Sequence, residues 1–150
     1  MKKESTKKYR YLPHTAEVKF LAYGSSFEKA LENAAEAMLN VMLDIKAIKK
    51  EAKNKRIRTK TIRDKAKTRE DLAWYTLQDI LSEVDRKGLA AYGFKVESLK
   101  QDKEGYYVKG SIVYVNTSKD FSLLEVKAVT PSGLKVNRSR RWSIEVVLDV

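Results

Sequence analysis

Few residues of this sequence could do chemistry, and most of the candidates are carboxylates. His14 is the only histidine and there is no cysteine, which excludes a two-histidine metal site and every thiolate site. Neither glycine-rich phosphate loop, GxxxxGK[ST] or GxGxxG, occurs. Glu17 opens the first predicted strand, and Asp149 lies near the end of the last. If these strand ends lie side by side, the carboxylates could bind Ca²⁺, Mg²⁺ or Mn²⁺. The alternative is two solvated acids.

The second chemical feature is an uneven positive charge. Lys and Arg number 31 against 20 Asp and Glu, a formal net charge of +11. Such a surplus favours RNA, DNA or an acidic protein as partner, although a charged, thermophile-like surface is the alternative. Residues 46–69 hold twelve Lys or Arg against Glu51 and Asp64, so this segment carries nearly all of the surplus.

Within that segment the basic residues alternate with Ile57, Thr59 and Thr61, which predicts a strand with one basic face. A mobile, self-repelling loop is the alternative. The candidate contacts to RNA or to a partner are Lys53, Lys55, Arg56, Arg58, Lys60 and Arg63.

The elements that must position these residues follow from periodicity. Residues 17–23 predict a strand, and Ser25 with Glu28 predicts the capping box of an amphipathic helix from Phe27 to near Asp44. Thr68 and Gly88 predict the two ends of a second helix. Four further strands are predicted at 94–99, 106–115, 124–130 and 142–150. We therefore expect one domain over residues 1–150. It is α+β and two-layered, with a largely antiparallel sheet and two main helices packed on one face.

Three stretches together resemble one known family. The first is Tyr11-Leu12-Pro13-His14-Thr15-Ala16-Glu17, which leads to Ala22-Tyr23-Gly24. The second is Glu125-Val126-Lys127-Ala128-Val129-Thr130, and the third is Val147-Leu148-Asp149-Val150. In this order, around a helix at 27–43, they are similar to the archease family over nearly the whole chain.

The resemblance implies a function. Archeases are accessory proteins of the RtcB-type RNA-splicing ligase and promote its metal- and GTP-dependent guanylylation and turnover. The chain is then no enzyme itself. Its partner would be the ligase, and tRNA or other RNA would be reached through the ligase complex. Chaperone-like modulators of tRNA modification also belong to the family, so an RNA-binding or chaperone-like role without a metal stays open. The expected location is cytoplasmic, without membrane association.

The resemblance also assigns residues. Asp149 matches the family's aspartate in the last strand, and Glu17 stands where aspartate is usual. They would handle a divalent metal, Ca²⁺ or Mn²⁺/Mg²⁺, with support from His14, Glu125, Lys127 and Thr130. Two acids of the pattern are missing: Pro13 replaces the acid before His14, and the Gly-Glu-Glu stretch before Glu125 is not evident. A site with fewer acids binds a cation more weakly.

Overall fold

The computed structural model describes residues 7–13 and 16–150. The α+β class predicted from the sequence is confirmed, with antiparallel pairing between the named strands. The strands are β1 (Tyr9–Leu12), β2 (Glu17–Gly24), β3 (Arg58–Ala66), β4 (Ala90–Asp102), β5 (Gly105–Val115), β6 (Ala128–Val129), β7 (Lys135–Arg138) and β8 (Trp142–Asp149). The helices are α1 (Phe27–Met42), α2 (Ile45–Ala52) and α3 (Arg69–Lys87), and a 3₁₀ turn covers Pro131–Gly133. Among the described helices, none combines the length and apolar sequence that a membrane span requires.

The strands form two sheets instead of the one predicted. A five-stranded sheet has the order β1-β2-β8-β6, and β7 also pairs with β8. A three-stranded sheet has the order β3-β5-β4. Helix α1 contacts β2 and β8 of the first sheet and β4 of the second, whereas α3 contacts β3, β5, β6 and β7. The helices therefore contact both sheets, and within the described residues the buried apolar side chains other than Val147 form one cluster.

The two long helices begin where polar side chains cap them. Ser26 accepts a hydrogen bond from the amide of Lys29 at 3.1 Å, so the cap of α1 lies one residue after the predicted Ser25. Thr68 accepts from the amide of Asp71 at 3.1 Å, as predicted. Gly88 ends α3 at φ 62°, a left-handed conformation that glycine adopts without steric cost.

Other local predictions needed correction. The basic segment begins with α2, which was not predicted and buries Ile45 and Ile48. The strand expected beyond it is confirmed as β3. The strand expected at 124–130 shrinks to β6, and β1 and β7 were not predicted.

The edge of the three-stranded sheet is irregular along β4. Register shifts occur between Ala91 and Gly93 and between Val96 and Ser98. The amide of Val96 donates to the carboxylate of Glu32 on α1 at 2.8 Å. A side chain of α1 thus satisfies a backbone amide of β4 next to the second register shift.

Gly24 permits the close approach of β2 to α1, and this generates a prediction. A Cβ atom at Gly24 would lie 2.3 Å from the amide nitrogen of Ala30, whereas one at Gly93 meets nothing within 4 Å. We expect Gly24→Ala to lower the free energy of unfolding by about 1–3 kcal/mol because the helix must move. Gly93→Ala, the matched control, should change it little. Denaturant unfolding measures both, and an equal loss in the two variants would contradict the close-approach explanation.

Candidate functional site

Glu17 and Asp149 are directly opposite each other across the β2–β8 pair. Directly opposite residues project to the same face of a sheet, with Cβ atoms about 4.5–5.5 Å apart. Their neighbours Val18 and Leu148 are also paired, and Leu148 is fully buried on the α1 side. Because side chains alternate along a strand, the two carboxylates lie on the outer face, away from α1. The strand ends considered in the sequence are therefore brought together.

The second edge of β8 brings the 125–130 segment to the same place. Ala128 of β6 is also opposite Asp149. The amide of Lys127 donates to the carbonyl oxygen of Asp149 at 2.7 Å, and that of Thr130 donates to the carbonyl oxygen of Val147 at 2.9 Å. Glu125 and Lys127 are exposed. The segment thus flanks Asp149 on the side opposite Glu17.

Helix α3 fixes this segment through two side chains. The indole Nε1 of Trp74 donates to the carbonyl oxygen of Val129 at 2.7 Å. The amide of Val129 in turn donates to Oε1 of Gln78 at 2.9 Å. Both backbone groups of this buried residue are satisfied by one helix, so the segment is tied to the core as well as to β8. Trp74 and Gln78 were not predicted, since nothing in their spacing relates them to residues about fifty positions later.

The turn that leads into Glu17 is conformationally unusual. Ala16 has φ 62°, which is uncommon for a residue with a Cβ atom. His14, predicted to support this end of the sheet, lies outside the described residues. Further along the outer face, Lys19 forms an ion pair with Glu145 at 3.1 Å.

The acids present suit only some cations. Within residues 7–13 and 16–150, no group of three or more His, Cys, Asp or Glu side chains is arranged to hold a metal. Two carboxylates fall short of the six to eight oxygens that Ca²⁺ takes. They are enough for Mg²⁺, which is usually bound through one or two carboxylates, keeps several waters and shares phosphate oxygens of a substrate. The pair would thus supply two ligands of such a shell.

The predicted basic contacts do not share one face. Lys53, Lys55 and Arg56 lie between α2 and β3 and are exposed. On β3, Lys60 points towards α3, where it reaches Glu83 at 3.8 Å, and Ile62 on the same side is buried. Arg58 belongs to this side by alternation, whereas Arg63 belongs to the other. Arg58 and Lys60, which the alternation predicted on one basic face, share a side of β3, and only the separate candidate contact Arg63 lies on the other side.

A second acidic pair went unnoticed in the sequence. Asp64 of β3 faces Asp79 of α3, and Oδ2 of Asp64 is buried without a hydrogen-bond partner among the described residues. Burial, together with the interaction with the Asp79 carboxyl group, raises the pKa of Asp64 to about 8. One turn further along α3, Glu83 instead meets cations, namely Lys60, Arg86 and Lys87. Only the fold brings Asp64 and Asp79 together.

Comparison with known proteins identifies the family. The model of the archease protein family matches residues 9–150. The archease of Methanosarcina mazei is 35% identical over 153 residues, which covers 96% of this chain and 97% of that protein.

The chain belongs to the archease family.

More distant members of the family also match nearly the whole chain. The archease of Danio rerio is 27% identical and covers 97% of this chain and 86% of its own length. Among solved structures, Methanobacterium thermoautotrophicum protein 1598 has a TM-score of 0.76 at 22% identity, with 95% of this chain and 99% of that chain covered. The Thermotoga maritima protein, described as an archease and possible chaperone, has a TM-score of 0.54 at 21% identity, with 93% and 94% covered. The two structures confirm the archease fold.

The Asp64–Asp79 pair predicts a specific pH dependence. The pKa of Asp64 is raised from 3.8 to about 8 in the folded chain, so the folded state holds this proton more tightly than the unfolded state. The contribution of Asp64 to the free energy of unfolding is therefore largest below pH 4. It decreases as the pH rises to about 8, because the unfolded chain loses this proton first. Asp64→Asn should remove this loss and raise the free energy of unfolding at pH 9 by roughly 1–2 kcal/mol, a modest figure because Asp79 is solvent-exposed.

The measurement is denaturant unfolding across this pH range. Asp85→Asn, an exposed change on the same helix, is the control and should leave the pH profile unaltered. A profile of Asp64→Asn parallel to that of the unsubstituted protein would show that the pair carries no shared proton.

Proposed function

We propose that this chain is an accessory activator of an RtcB-type RNA ligase, promotes its metal- and GTP-dependent guanylylation and multiple turnover, and is not itself a catalyst. One observation carries the proposal beyond family membership. Glu17 and Asp149, the two acids that match the family's metal-handling pattern, are directly opposite each other at one end of the β2–β8 pair. The 125–130 segment, which belongs to the same pattern, flanks Asp149 through β6.

The two carboxylates of Glu17 and Asp149 suit a divalent cation that is bound jointly by this chain and a partner. Glu17 and Asp149 would supply two carboxylates, and the remaining oxygens would come from water, from the ligase or from nucleotide phosphates. Mg²⁺ or Mn²⁺ fits this role better than Ca²⁺, because two acids are too few for a calcium cage. When bound, such a cation neutralises charge on phosphate oxygens. A partial shell on an exposed strand end can both take up an ion and release it to a partner.

The ligase and its RNA would meet a surface of mixed character. Lys53, Lys55 and Arg56 are exposed and remain candidate contacts to the ligase–RNA complex. Their charge would speed the encounter with a polyanion. The same cations would compete with a divalent ion if they approached the carboxylates, so we assign them to partner contact alone.

A second candidate function rests on a different observation. Leu123 and Leu124 are 63% and 46% exposed, beside a pocket of about 450 Å³ that Met42 and Phe121 also line. Exposed apolar side chains at a pocket can hold apolar segments of another protein. This favours a chaperone-like modulator of tRNA processing or modification that needs no metal, in line with the Thermotoga protein described as a possible chaperone.

Multiple-turnover ligation by the cognate ligase tests the first proposal. We expect the protein to stimulate product formation beyond one turnover. Glu17→Gln with Asp149→Asn should reduce this stimulation about tenfold or more, since ligand loss weakens metal binding by at least that factor. Glu145→Gln is the matched control, because it removes an acid on the same outer face that pairs with Lys19. It should leave stimulation unchanged.

The alternative outcomes separate the candidates. Full stimulation by the Glu17 and Asp149 double variant would remove the metal role and leave the accessory role standing. No stimulation by the unsubstituted protein would remove the accessory role. In that case, suppression of aggregation of a client protein, lost on Leu123→Ser with Leu124→Ser, would establish the chaperone-like function.

A further inference from the structure

The three-stranded sheet has one covered face and one open face. Helix α3 contacts β3 and β5, and α1 and α2 contact β4. Ile62, Val108 and Ile112, one set of alternate residues, are buried on this covered side. The other set on β3 comprises Thr59, Thr61, Arg63 and Lys65, and all four are exposed. The second side of this sheet therefore faces solvent.

The open face is basic with a tyrosine at its centre. Lys65 of β3 is opposite Tyr107 of β5, which is opposite Lys100 of β4, so the ring has a lysine on each side. The next row is Arg63, Lys109 and Ser98. We call this surface the basic sheet face, and it consists of Arg63, Lys65, Lys95, Lys100, Tyr107 and Lys109.

Two acids also lie on this surface. Glu97 accepts a hydrogen bond from the hydroxyl of Ser111 and forms an ion pair with Lys109 at 3.5 Å. Asp102 lies near the hydroxyl of Tyr107 and, with burial as the larger cause, raises the pKa of that tyrosine. Five cations against two acids leave the surface clearly positive.

A groove runs from this surface to the α3 side of β3. It has a volume of about 730 Å³ and is lined by Arg63, Lys65, Tyr75, Lys100, Tyr107 and Lys109, together with Asp64, Ser98 and Val108. Tyr75 belongs to α3 and is 41% exposed at the edge of β3. The groove therefore holds two tyrosine rings among four cationic side chains and one acid, Asp64.

We propose that the basic sheet face binds single-stranded RNA, with bases against Tyr107 and Tyr75 and phosphates against the surrounding lysines and arginine. Residues two apart on a strand are about 7 Å apart and adjacent strands about 4.8 Å, so the cations form a grid around the rings. Single-strand binding proteins combine this kind of positive groove with aromatic rings, because every base has a face that can stack. A base in a duplex is already stacked and does not offer that face.

An acidic peptide is the nearest competing ligand. Its carboxylates would satisfy the cations, yet they would gain nothing from the two tyrosine rings that line the groove. The proposal does not depend on the ligase, and its test contains no ligase. Among the lysines and the arginine of this face, only Arg63 belongs to the RNA or partner contacts predicted from the sequence.

Fluorescence anisotropy with a labelled, unstructured RNA of about 12 nucleotides at roughly 50 mM salt tests the proposal. Lys65→Ala with Lys100→Ala should weaken binding and reduce the slope of log K against log salt by about 1.4, since each phosphate contact on a single strand contributes about 0.7. Lys46→Ala with Lys49→Ala, exposed on α2, removes the same charge and should leave the slope unchanged. Lys53→Ala with Arg56→Ala tests the other candidate RNA contacts, which lie between α2 and β3.

The ring is tested separately. Tyr107→Leu should weaken binding about tenfold, whereas Tyr107→Phe, which keeps the ring and removes the hydroxyl, should bind as the unsubstituted protein does. Circular dichroism melting confirms that each variant is folded. A loss confined to the Lys53 and Arg56 variant would overturn the proposal. Equal affinity for a poly-glutamate peptide of the same charge, with no effect of Tyr107→Leu, would equally overturn it in favour of a general anion surface.

Discussion

Strand β8 hydrogen-bonds along both of its edges, and the five-stranded sheet depends on this. It pairs with β2 on one side and with β6 and β7 on the other. Its residues Ile144, Val146 and Leu148 are fully buried against the core. A slip of one residue would turn these side chains outward, so core packing fixes the register. That same register places Glu17 opposite Asp149, and the candidate site is therefore a consequence of how the core packs.

The two acidic pairs differ in exposure. Where two carboxylates share a buried site, one of them holds a proton, whereas carboxylates at an exposed position can bind a cation. Asp64 is half-buried against α3, and its raised pKa indicates the proton. Glu17 and Asp149 lie at the end of a strand pair, with Asp149 exposed. A hydrated metal ion or a partner's ligand can reach that position, and the different exposure of the pairs separates a structural feature from a candidate site.

The sequence predicted elements whose signals are local. Periodicity and capping residues located α1 and α3, and alternation located β2, β5 and β8. Helix α2 was missed because only Ile45 and Ile48 mark its buried side, amid lysines. The division into two sheets was also missed, since alternation does not specify which strands pair. The sequence suggested a site at Glu17 and Asp149 only on the condition that the two strand ends lie side by side. It did not predict the Asp64–Asp79 pair or the Trp74–Val129 contact. All three depend on residues far apart in sequence.

The irregular edge of β4 affects how readily the protein can aggregate through strand addition. A regular edge strand presents a row of unpaired amides and carbonyls onto which a strand from another molecule can add, and such addition leads to aggregation. In β4 the bulges interrupt that row. The carboxylate of Glu32 also occupies the amide of Val96. A fourth strand would have to displace an anion and straighten the backbone before it could form a continuous ladder. This sheet is therefore protected from intermolecular growth on that side, although its other face is open and charged.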